Sequence, residues 1–271
     1  MSRDRLRHPG PPANSPCTVA RGSVRRLSVT LPRGAILLEA VAQALPLGCT
    51  CAAMDLSGAW IGPFDYVMPD RSTDGVHAAW YSETHHGTEA CLQHATAIVG
   101  TRDGAPWLHC HALWGDHHCG HLLPDAVTLA KDADVTLYAF DGGGFDVALC
   151  PETLFPIFHV TGGQAQGKAL IAKVNPHHDL ATTLAHSARD AGFQSPRILG
   201  IGSLIGARLA EGRDMTSPIS EVLIPGAVPF DPTGGLPMIC VDPAGGLFRG
   251  TLTPGGAPVC VTFEALILDA D

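Results

Sequence analysis

The chain has 271 residues, 45% apolar and 16% charged, and a formal net charge of −9 at neutral pH. At roughly 100–200 residues per domain this is one large domain or two small ones with enough apolar material for a core, which excludes a disordered or charge-driven chain. The acidic balance argues against nucleic acid as a partner, because neutralising phosphates supplies most non-specific affinity.

No stretch reads as membrane-spanning: the best apolar run, 35–47, is short and is broken by Glu39 and Gln43. Arg3, Arg5 and Arg7 are not followed by an apolar segment, so no secretory signal is expected. The nine cysteines are odd in number and lack the spacing of a disulfide scaffold. They read as reduced thiols, and a cytoplasmic location is expected.

In chain order, residues 1–24 are rich in Arg, Pro, Gly and Ser and read as a flexible tail. Residues 27–31 alternate as a strand should. Pro32-Arg33-Gly34 is a turn, and Ile36, Leu37, Val41, Ala44 and Leu45 follow at helical spacing. Strands are expected at 50–56, 78–81, 95–99, 107–113 and 135–140. The order then repeats: a strand at 169–174, a turn at Asn175-Pro176-His177-His178, and a helix marked by Leu180, Leu184, Ala185 and Ala188. A pair of strands is expected over 198–209, and single strands at 221–224, 237–241 and 259–268.

Local pieces of the two halves answer each other, Pro106-Trp107-Leu108 to Pro237-Met238-Ile239 and Gly120-His121-Leu122 to Gly250-Thr251-Leu252. This predicts two tandem copies of one unit, at 25–145 and 168–271, with a linker at 146–167. Gly200, Gly202 and Gly206 are spaced one residue too widely for a dinucleotide fingerprint and read as tight packing of small residues.

Histidines cluster, with nine of the fourteen between residues 77 and 121. Residues i and i+2 of a strand face the same way, so His109 and His111 aim at one point. After a turn containing Gly115 and Asp116, His121 can return to that point from the next strand. Three imidazoles form the ligand set of an open, catalytic-type Zn²⁺ site, and Fe, Ni or Cu would suit them too. His94 is the first candidate for a fourth ligand. His117 and His118 fall at the turn tip, while Cys110 and Cys119 alternate away from the ligands.

The pattern Pro106-x-Leu108-His109-x-His111-Ala112, then Gly120-His121-Leu122 and the strand region 127–140, resembles the plant and prokaryote conserved (PPC) domain. The resemblance covers most of 25–145, and the second half looks like a degenerate copy. It implies an α+β fold, a twisted and mainly antiparallel sheet with a packed helix, often assembled as a trimer. The family's three histidines map onto His109, His111 and His121. More distantly, the fold is similar to acetolactate decarboxylase, a duplicated protein with an H-x-H and a third His around zinc. Two departures stand out. There is no AT-hook, and Cys240, Asp242 and Thr251 stand in the second copy where the first has histidines. The second copy is therefore expected to be structural or to wall the first site.

These observations lead to a PPC-like protein binding Zn²⁺ or another divalent transition metal. The expectation is a metal-dependent enzyme that hydrolyses or decarboxylates a small carbonyl or carboxylate substrate. The alternatives are a non-catalytic regulatory or DNA-associated oligomeric module, and a metal-free scaffold. Catalytic residues are not assigned. Glu83, Glu89 and Glu221 are acid–base candidates by neighbourhood alone and read as surface carboxylates. Arg33 and Arg208 are candidates for holding a substrate carboxylate. Expected partners are the small-molecule substrate and further copies of the chain, a homo-oligomer with the trimer favoured, and no membrane.

Overall fold

One long strand, Cys17–Leu31, is shared by two groups of strands. Residues 17–22 pair antiparallel with Ala169–Val174, and residues 23–31 pair antiparallel with Ala133–Asp141. The computed structural model describes residues 6–115, 117–230 and 235–270. Among these, sixteen strands join in one sheet and two helices pack on it.

Outward from the shared strand, the first group runs Ala133–Asp141, Cys51–Asp55, Ala90–Arg102, Ala105–Trp114, His118–Leu129, Trp60–Val67 and His85–Gly87. The strand Trp60–Val67 pairs with both His118–Leu129 and Ala90–Arg102, which closes these strands into a small barrel. In the other direction the order is Ala169–Val174, Val259–Asp269, Pro196–Leu204, Glu221–Pro229, Leu236–Val241 and Leu247–Leu252. In each group the strand that comes last in the chain is inserted between the first two.

Local chemistry explains the helices. In α1 (Leu37–Ala44), Leu37, Ala40 and Val41 form a buried stripe at i, i+3 and i+4. In α2 (Leu180–Asp190), Leu180, Leu184 and Ala188 repeat every fourth residue on the buried face. The Asp179 carboxylate caps α2 by accepting from the Thr182 amide at 2.9 Å, a contact worth about 1 kcal/mol. Its other oxygen accepts from the Ala257 amide at 2.9 Å, which ties the helix start to the last hairpin.

The core has three main layers. One lies under α1 and includes Leu37, Met54, Leu108 and Leu137; another lies under α2 and includes Leu184, Ile198, Val222 and Phe263. The third lies between the two strand groups, where Ile98, Leu113 and Phe140 meet Ile171, Leu223 and Ile239. Facing side chains from both halves thus form a shared apolar interior, which is where the candidate site is found.

The structure departs from the sequence expectations in three places. The flexible tail expected over 1–24 is a strand from Cys17 onward, and Arg21 donates to the carbonyls of Gly167 and Ala191. Before that strand the His8 imidazole bonds the Cys260 carbonyl at 2.7 Å and the Gly10 amide donates to Glu152; residues 1–5 lie outside the described residues. The stretch 146–167, expected to be a linker, is mostly hairpin, with Gly143–Leu149 pairing antiparallel with Pro156–Gly162. The strand pair expected over 198–209 is one strand, Pro196–Leu204, followed by a loop. Gly200 and Gly202 sit where that strand meets Val259–Asp269, and a Cβ at Gly202 would stand 2.3 Å from the Thr262 carbonyl oxygen. Close packing thus explains these glycines. Among the described residues, no helix is long and apolar enough to cross a membrane.

Candidate metal centre

The strand Ala105–Trp114 alternates as its sequence demands. Leu108, Cys110 and Ala112 turn into the core under α1. His109 and His111, on the other face, turn toward the second strand group. His111 is directly opposite His121 across the pairing with His118–Leu129. Donor atoms of His109, His111, His121 and Glu221 lie within 4.8 Å of one another, a group able to hold a metal ion. The turn residue Asp116 lies outside the described residues.

The hydrogen bonds fix how two of the imidazoles point. The Nδ1–H of His111 donates to the Val222 carbonyl at 2.9 Å, since a carbonyl only accepts. The Nδ1 of His109 lies 2.8 Å from Glu264 Oε2, and donates to it when that buried carboxylate is ionised. The other oxygen of Glu264 accepts from Thr262 Oγ1 at 2.7 Å. Both rings therefore present Nε2 inward, and the two Nε2 atoms stand 3.0 Å apart. Glu221 Oε2 lies 2.8 Å from His111 Nε2. Three atoms that act as acceptors in neutral histidine and carboxylate thus face one another. A proton on His111 relieves only part of this crowding, whereas one cation between them relieves all of it. An outer carboxylate or carbonyl that fixes ring tautomer is also the usual companion of a metal-ligating histidine.

Burial sets the remaining electrostatics. It opposes charge on His111, but Glu221, the Val222 carbonyl and Glu264 outweigh it, and the pKa is raised. His121 is pushed well below the usual histidine value, first by burial and then by His109 and His111. Its Nδ1 is 3.4 Å from the Tyr81 hydroxyl. Burial, together with Glu221 and Glu264, pushes the Tyr81 phenol well up, so it keeps its proton and can donate.

The cluster opens into a cavity of about 270 Å³ between the strand groups. His109, His121, Tyr81, Glu221 and Glu264, with the hydroxyls of Ser203 and Thr262, supply its polar part, and aromatic and aliphatic side chains such as Trp107, Phe158 and Ile219 line the rest.

The structure brings His109, His111 and His121 together. It places His94 apart from them, half-buried on Ala90–Arg102, with burial, then Arg249, lowering its pKa. Glu221 stands in the group instead, from the second half of the chain, so it is not the surface carboxylate expected from its neighbourhood. Arg33 and Arg208 do not line the cavity. His117 and His118 are exposed. Cys110 is buried under α1, turned away from the ligands as expected, and desolvation pushes its thiol up to about 12. Cys119 does not turn away: two residues before His121 on the same strand, it shares that face and packs in the layer between the strand groups. The second-half counterparts do not gather: Asp242 accepts from the amides of its own turn, and the Thr251 amide bonds Glu211.

Glu264 was missed from sequence, although it carries a signal. It is a lone carboxylate in the apolar run 259–268 and is 1% exposed. Such a charge needs a partner, and here the partner is His109.

Fold and cluster together define a mainly antiparallel-sheet protein with a buried His/Glu group at an apolar cavity. No protein-family model and no curated protein matches the chain. Solved structures similar to about half of it include a metal-containing protein from Archaeoglobus fulgidus (17% identity, 52% of this chain, 99% of that one, TM-score 0.42). They also include a PPC protein from Pyrococcus horikoshii (17% identity, 54% and 96%, TM-score 0.35). A third is a putative DNA-binding protein from Ralstonia eutropha JMP134 (17% identity, 49% and 89%, TM-score 0.36).

Proposed function

We propose that the chain is a metal-dependent enzyme that hydrolyses or decarboxylates a small carbonyl or carboxylate compound. The observation that carries this reading is the convergence of His109 Nε2, His111 Nε2 and Glu221 Oε2 beside a cavity large enough for a substrate. His109, His111 and His121 would hold a divalent transition metal, with zinc the first choice for imidazole donors. Such an ion supplies Lewis acidity, polarising a carbonyl or bringing the ionisation of water toward neutrality. In this reading Glu221 takes a proton from the reacting molecule, and the protonated Tyr81 hydroxyl donates to an oxygen on which negative charge grows. The apolar walls lower the local polarity and so strengthen each of these interactions.

In this reading the two strand groups are copies of one unit. The matching insertion of the last strand between the first two supports it. The first copy supplies the histidines, and the second supplies Glu221, Glu264 and the Val222 carbonyl.

One observation favours a second reading, a non-catalytic binding module. Three histidines and a carboxylate make a complete four-ligand set, which is the habit of structural metal sites. Glu221→Gln separates the two. If Glu221 is the base, the variant keeps its metal and loses turnover, scored as CO₂ release or hydrolysis across a panel of small oxo-acids and esters. If Glu221 closes a structural site, the variant loses metal and the native protein turns over nothing.

A further inference from the structure

The charged and imidazole groups of the cavity are Glu221, Glu264, His109 and His121, joined by the hydroxyls of Tyr81, Ser203 and Thr262. The Ser203 oxygen accepts from the Val261 amide at 2.9 Å, and Thr262 donates to Glu264 at 2.7 Å. Among the described residues that line it there is no lysine or arginine. The cations near its walls are engaged elsewhere: Arg102 lies over the Trp107 ring at 5.0 Å, and Lys173 donates to Asn175 at 2.6 Å. The rest of the lining is mainly apolar and includes Trp80, Trp107, Val147, Phe155 and Phe158. Trp80 is 43% exposed, a large apolar side chain that still meets solvent.

These features bound the ligand. A dry cavity of roughly 150 Å³ holds benzene, so 270 Å³ holds one ring or branched chain with a short polar head. An anionic head is held best at the metal: the two carboxylates repel it, and Ser203 offers it no more than one neutral hydroxyl. A second charge at the far end of the molecule would be buried against aromatic rings without a partner, which is strongly disfavoured.

We infer that the site takes small 2-oxo acids or related carbonyl compounds with one charge at most and an aromatic or branched apolar body, and that it rejects dicarboxylates. This rests on the metal-dependent reading above.

The test is calorimetric titration of the full chain, loaded with Zn²⁺ and checked for metal content. Phenylpyruvate and 2-oxoglutarate serve as probes, since they share the 2-oxo acid head and differ at the far end. Phenylpyruvate is expected to bind roughly 100-fold more tightly. Val147→Lys, which puts a cation on the half-buried wall, should strengthen 2-oxoglutarate by roughly tenfold. Equal affinities, a preference for 2-oxoglutarate, or no binding of either probe by metal-loaded protein overturns this inference alone. Failure to take up Zn²⁺ overturns the metal reading and this inference with it.

Discussion

The Nε2 atoms of His109 and His111 stand 3.0 Å apart, while the Nδ1 atoms of the same rings face Glu264 and the Val222 carbonyl. Both oxygen partners come from the second half of the chain, and both histidines from the first. The cluster therefore depends on the docking of the two strand groups.

Glu264 acts on the cluster through His109. Glu264→Gln keeps an oxygen acceptor near Nδ1 and removes the charge, so metal affinity is expected to fall by about 10–100-fold, the usual cost of losing an outer partner. Competition with a chelator of known affinity measures this. Thermal unfolding of the metal-free variant close to that of the parent would show that the loss is not general misfolding.

Gly202 sets the distance between Pro196–Leu204 and the strand that carries Glu264. In Gly202→Ala the new methyl meets the Thr262 carbonyl oxygen at 2.3 Å and Phe263 Cα at 2.6 Å. The strands must part, at a cost of about 1–3 kcal/mol. Denaturant unfolding should report that loss, and metal affinity should fall with it. An unchanged midpoint would contradict a strand approach as close as this.

Three histidines outside the cluster set a pH dependence. His8, His94 and His159 are each held below the ordinary value of 6.5, in every case first by burial. They fold in the neutral form, so just below about pH 6.5 the unfolded chain binds more protons than the folded one. Stability is therefore fully present above that value and lost as the pH falls through the depressed folded values. The melting temperature is expected to drop between about pH 7 and about pH 5, and the triple Gln variant should drop less. A triple variant as steep as the parent would assign the loss to other groups.

Duplex DNA should not bind strongly at physiological salt, given the net charge of −9. Filter retention or anisotropy checks this. Tight binding that weakens steeply between about 50 and about 200 mM salt would point to phosphate contacts and favour the binding-module reading.

Much of the local structure was legible in the sequence because its signals are short-ranged. The strand Ala169–Val174 and the stripe Leu180, Leu184 and Ala188 of α2 stand where periodicity puts them. The H-x-H alternation and the return through Gly120-His121 likewise need only strand geometry and one turn. Long-range partners were not legible. Residues 17–22 have a loop-like composition, and they form a strand because Ala169–Val174 lies beside them. Glu221 and Glu264 follow His111 by more than a hundred residues, and no local pattern announces the docking that brings them to it. The lost histidines of the second half pointed to a structural or walling role for it, and Glu221 was a candidate by neighbourhood alone. For Glu264 the hint lay in its apolar neighbours, a charge that an interior strand could not hold unpaired.

The central claim is that this cluster binds one transition metal. Elemental analysis of untagged protein, purified and then dialysed after Zn²⁺ addition at neutral pH, tests it most directly. The expected result is about one ion per chain, abolished by His111→Ala and kept by Asp242→Ala. Protein that holds no metal, or that loses it through Asp242→Ala and keeps it through His111→Ala, would contradict the account.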